Sequence, residues 1–184
     1  MSFLSQLVRP ETRGQKNFQR GRAAESRGDF AKAETYFGEG AAAYDTYFAG
    51  ETAKGREVRP SHLVMAGICY TRVGRNEDAL RVLRECMERK EIPDAFLNAG
   101  YAAAKLGRSS EAAEYWSRYP AWTDQRMIAN ELKTQVKAIR AGGADLDAAC
   151  AAVATAVYEQ DKLNARDRNF REQGRRTSEF RQGY

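Results

Sequence analysis

The sequence predicts an all-α fold, a solenoid of antiparallel helical hairpins with capping helices at its C-terminal end. Three observations predict it. Two segments repeat: Leu63-x-x-Ala66-Gly67-x-x-Tyr70 aligns with Phe96-x-x-Ala99-Gly100-x-x-Ala103, and Ala79-x-x-x-Leu83 with Ala112-x-x-x-Trp116. The offset is 33 residues, and a weaker copy lies upstream at Gly21, Gly28, Ala33 and Phe37. In all three copies two glycines stand seven residues apart and an alanine follows the second by five. Apolar residues between these marks recur at spacings of three, four and seven, one face of a helix.

This pattern resembles the tetratricopeptide repeat, a helix–turn–helix unit of ~34 residues with a small residue in its first helix and A-x-x-x-F in its second. The resemblance implies hairpins stacked into a right-handed superhelix. It places three repeats at about 10–47, 60–92 and 93–119, with an insertion at 48–59. Residues 120–173 then form a capping hairpin.

Residues 1–9 are an apolar docking segment in which Phe3, Leu4, Leu7 and Val8 share one face. Two turns of helix are not stable alone in water, so the segment must pack on something. Pro10 opens the first helix, where its missing N–H is no loss, and Gly28 ends it. Asp29 caps the next helix, whose stripe is Phe30, Ala33, Phe37, Ala41, Tyr44 and Phe48. Residues 48–59 extend that helix and then loop. Pro60 and Pro93 open the first helices of the second and third repeats, and Pro120 follows the end of the last. A helix over Asp124–Arg140 carries Met127, Ile128, Leu132, Val136 and Ile139 on one face. Gly142-Gly143 stops it, and Asp145 caps a last helix running through Leu146, Ala149, Cys150, Val153 and Val157 toward Phe170. Residues 174–184 have no periodicity and are expected to be a basic, mobile tail.

With 184 residues, 42% apolar and 30% charged, the chain is long enough to bury a core and too apolar to be disordered. No apolar run approaches the ~18 residues of a membrane span, and the first residues lack a basic, then apolar, secretory pattern. A cytoplasmic location is expected. The net charge of +5 is concentrated at the end: Lys162–Tyr184 holds seven Lys/Arg against three Asp/Glu. The repeats are close to neutral.

Cys69, Cys86 and Cys150 are odd in number and far apart, which argues for buried thiols and against zinc. One histidine, His62, has no spaced partner, and no phosphate loop, nucleophile elbow or H-E-x-x-H motif is present. No enzyme, metal or cofactor is expected. Function is then a matter of surfaces.

In tetratricopeptide arrays the first helices line a concave groove that receives a peptide or helix. The resemblance puts Phe18, Arg22, Val64, Ile68, Leu97 and Tyr101 in that groove, with Glu25, Thr71, Arg72 and Lys105 one turn later. The family's clamp for acidic chaperone tails is not matched, since Phe18, Arg22, Met65, Asp94 and Asn98 hold its places. The groove is apolar with a basic edge and suits an apolar or amphipathic partner segment, unless one of the chain's own termini covers it. The expected function is an adaptor, assembly factor or chaperone. The alternative is a structural subunit of a larger complex, anchored through its termini. Arg166, Arg168, Arg171, Arg175, Arg176 and Arg181 supply a third reading, an RNA-associated tail. Their interspersed Asp167, Glu172 and Glu179 weaken it, and nucleic acid is not the expected partner.

Overall fold

The computed structural model describes residues 8–120 and 123–181, with side chains as far as Asp167. Among these residues the fold is all-helical. The helices are α1 (Pro10–Ser26), α2 (Phe30–Ala53), α3 (Pro60–Arg72), α4 (Asn76–Arg89), α5 (Pro93–Lys105), α6 (Ser109–Ser117), α7 (Arg126–Arg140) and α8 (Leu146–Arg181). Proline stands in the first turn of α1, α3 and α5, where its fixed φ suits the helix and no N–H is lost. The Asp29 carboxylate accepts from the Lys32 N–H, and Asp145 from those of Asp147 and Ala148, capping α2 and α8.

Three turns have one geometry. Gly28, Gly74 and Gly107 lie at φ of 76°, 76° and 75°. After each, the next N–H reaches back five residues: Asp29 to the Ala24 carbonyl, Arg75 to Tyr70, and Arg108 to Ala103. Left-handed glycine lets the chain double back at the end of a helix while satisfying its last carbonyls.

The turn delivers a bulky residue of the second helix onto a glycine of the first, sixteen residues earlier. A Cβ on Gly21 would meet the Phe37 ring at 2.7 Å, one on Gly67 the Leu83 methyl at 2.5 Å, and one on Gly100 the Trp116 indole at 2.3 Å. Ala33, Ala79 and Ala112 are buried at the same contacts. Trp116 is buried too, and its Nε1–H donates to the Leu97 carbonyl at 3.1 Å. Each such aromatic or leucine contributes roughly 1.5–3 kcal/mol through burial. The hairpins then stack, with α1, α3 and α5 adjacent, and α2, α4 and α6 each passing the chain to the next helix. On the outer face, ion pairs join successive second helices: Arg75 with Asp45 at 2.6 Å, and Arg84 with Glu111.

The last hairpin is built differently. α7 packs on α6 but not beside α5, and α8 packs against α7 and also against α5 and α1. α8 also continues as helix past Gly174 to Arg181, where an aperiodic tail beginning at residue 174 was expected. Two stripe assignments fail: Phe30 is 62% exposed and Met127 38%. Phe30 opens α2 beyond the end of the core, and its ring lies 6.1 Å from that of Tyr158 on α8. Of the N-terminal docking segment, Phe3, Leu4 and Leu7 lie outside the described residues, and Val8 is exposed.

Candidate functional site

On the inner faces of α1, α3 and α5, which form a trough, Arg22, Ile68, Arg72, Leu97 and Tyr101 line two adjoining hollows. Val64, Ile68 and Leu97 are buried, while Phe18, Arg22, Arg72 and Tyr101 are half-buried. Thr71 is buried as well and spends its hydroxyl on the Ile68 carbonyl at 2.8 Å. The trough is not open. α8 runs along it, and its Val153, Val157 and Asp161 face Arg22, Ile68, Arg72, Leu97 and Tyr101 across these hollows.

The cover is an amphipathic helix in a groove. Ala149, Cys150, Val153, Ala156 and Val157 of α8 recur at helical spacing, and all but half-buried Val157 are fully buried. Cys150 Sγ lies 3.8 Å from the Tyr101 carbonyl. Burial pushes this thiol up to about 11, and the thiols of Cys69 and Cys86 to about 12 and about 11. All three are therefore neutral and packed, poor nucleophiles or ligands at ordinary pH. A cavity of about 200 Å³ remains between α8 and the trough, with Leu97, Tyr101, Val153 and Val157 in its wall.

Charge closes both ends. Near the start of α8, Lys105 Nζ lies 2.6 Å from the Asp147 carboxylate. Farther along, Arg22 donates to Asp161 at 2.8 Å and to Glu25 at 3.1 Å, and Arg72 meets the other Glu25 oxygen at 2.5 Å. Arg72 also reaches Asn98 Oδ1 at 3.4 Å, so one polar chain ties α8, α1, α3 and α5 together. Asp94 sits beside it. Burial raises its carboxyl above the usual range, Arg22 and Arg72 oppose that rise, and Asp161 adds to it. A half-buried network of this kind fixes register more than it adds stability.

Sequence reasoning left open that one of the chain's own termini covers these residues, without singling out Asp147, Val153, Val157 and Asp161 of α8. The signal was available: an apolar stripe flanked by carboxylates fourteen residues apart complements a trough with basic ends. Of the tail arginines, Arg166 is exposed on α8. The side chains of Arg168, Arg171, Arg175, Arg176 and Arg181 lie outside the described residues. His62 is buried, its Nδ1 3.3 Å from the Tyr47 hydroxyl, and burial followed by Arg59 depresses its pKa. It has the surroundings of a packed residue. No cluster of His, Cys, Asp and Glu suited to a metal occurs among the described residues, and no described helix is long and apolar enough to cross a membrane.

Comparison with known proteins gives no match of this chain to any family model, curated protein or solved structure.

Proposed function

We propose that this chain is a protein–protein interaction module of tetratricopeptide type, a cytoplasmic adaptor or assembly factor whose groove is held by its own C-terminal helix. The observation that carries the reading is α8 itself. It lies in the trough as a bound partner helix would, with an apolar stripe inward and a carboxylate for each basic end. The partner is then a helix with the same pattern, and it must compete with α8. Because α8 is tethered, its effective concentration at the groove is of order millimolar, so a competitor has to bind tightly or arrive when α8 is loosened.

The test uses the isolated α8 stripe as a labelled peptide, residues 144–165. Titrated into the full chain, it should bind weakly or not at all. Titrated into the double variant Asp147→Lys/Asp161→Lys, whose own α8 is repelled from Lys105 and Arg22, it should bind at least tenfold better. Equal, negligible binding to both proteins, with unchanged helicity, makes the trough a permanent core. The filled groove itself favours that second reading, a stable structural subunit anchored through its termini.

A further inference from the structure

A second concave feature lies away from the trough, between the end of α6 and the flank of α7. It is a half-open fissure of about 420 Å³, with Trp116, Tyr119, Ala129 and Val136 as its apolar lining. Lys133, Lys137 and Arg140 line it as well. These three cations stand at i, i+4 and i+7 of α7, a ladder along one flank that spans about 10 Å at 1.5 Å per residue.

The ladder is distinguished by its arrangement beside the apolar floor, since other cations such as Arg13, Lys16 and Arg126 are likewise without an ion pair among the described residues. Arg22, Arg72, Arg75, Arg84, Lys105 and Arg108 are all in ion pairs with carboxylates. Lys133, Lys137 and Arg140 are in none among the described residues. Glu131, the nearest acid on α7, accepts from Gln135 at 2.6 Å, a position that projects from a different side of the helix. The fissure also belongs to the last described hairpin, whose α7 packs on α6 and α8 among the described residues.

We propose that this fissure receives an acidic amphipathic helix of a protein partner. An apolar floor beside a line of unpaired cations at helical pitch matches a second helix with apolar residues on one stripe and carboxylates along its edge. A compact anion such as phosphate would engage one or two of the cations and leave the floor uncovered. The site is independent of the groove reading, since none of its residues touches α8's ion pairs.

The probe is a synthetic, fluorescein-labelled helix with leucines on one face and glutamates flanking them, followed by anisotropy in low salt. The control replaces every glutamate by lysine. The full chain should bind the acidic helix, and binding should fall as salt is raised. Lys133→Glu/Lys137→Glu, at exposed positions where folding is not at stake, should weaken it more than tenfold. Ala129→Arg, which blocks the floor while adding positive charge, should weaken it as well. Arg166→Ala should leave it unchanged. The proposal is overturned if the wild-type chain fails to bind the acidic helix, or if the acidic and basic helices bind alike. Unaltered binding by the charge-reversed variant overturns it too, as does Ala129→Arg binding better than wild type, which would mean attraction by charge alone.

Discussion

The first three hairpins and the last share a plan, two helices joined through a left-handed glycine, yet the last lacks the glycine-and-knob fit, and its second helix also packs back against α5 and α1. Gly142 ends α7 at φ 84°, as Gly28, Gly74 and Gly107 end their helices. The difference lies in three side chains. Seven residues before the turn, the repeats have Gly21, Gly67 and Gly100; α7 has Gln135. Sixteen after that glycine they have Phe37, Leu83 and Trp116; α8 has Ala151, which is exposed. Where Ala33, Ala79 and Ala112 are buried, α8 carries exposed Asp147. Without a hole and a knob to fit it, α8 has no steric reason to lie on α7 in the repeat's register. It keeps a contact with α7 and lays its Cys150–Val153–Val157 stripe against the trough as well.

The sharpest break in this comparison comes from Trp116→Ala. Removing a buried indole that fills the Gly100 hole should cost about 3–5 kcal/mol, read as a large loss of Tm and of unfolding midpoint in urea. Ala151, its counterpart in the last hairpin, should accept Ser at a cost within ~0.5 kcal/mol. If both substitutions cost the same, the two hairpins do not differ in the way described.

Next come the holes themselves. Gly100→Ala places a methyl 2.3 Å from the indole, and Ala112→Leu overfills the adjoining contact. Each should cost roughly 1–3 kcal/mol in thermal unfolding, against no more than ~0.5 for Gln135→Ala. An unchanged midpoint for Ala112→Leu would contradict the buried register of α6.

A smaller effect tests the polar chain under α8. The folded pKa of Asp94 lies above its unfolded value, chiefly through burial, so its ionised form is a cost to folding at neutral pH. That cost declines as pH falls through the folded pKa and is gone below the unfolded one. Asp94→Asn should therefore raise Tm at pH 7, and the gain should shrink toward zero near pH 3. A gain that grows on acidification would mean that Asp94 is held ionised by Arg22 and Arg72.

The smallest effect is expected at the chain's end. Removing residues 175–184 should leave the cooperative unfolding of the body unchanged. Mixed single-stranded RNA should bind neither form below the ~10⁻⁴–10⁻⁶ M of non-specific contacts at physiological salt. Submicromolar binding lost with the truncation would move the RNA reading ahead of the protein-interaction one.

Much of the fold was legible because the information is local. Pro10, Pro60 and Pro93 mark helix starts through their own φ, and Gly28, Gly74 and Gly107 mark ends through their lack of Cβ. The Gly–Phe, Gly–Leu and Gly–Trp pairs mark each hairpin's packing at fixed separation. Exposed Phe30 and Met127 were misplaced because period says which face a residue is on, not whether anything covers it.

By itself, then, the sequence determined the all-helical hairpins, their turns and the inward faces of the first three. Only the tertiary structure decided what lies in the trough. The stripe of α8 would be satisfied by any apolar surface of the right width, because hydrophobic burial has no direction. The contacts of α8 with α5 and α1, made in addition to its packing on α7, include the pairs Arg22–Asp161 and Lys105–Asp147. Those partners are 139 and 42 residues apart in the chain, and no local pattern pairs them.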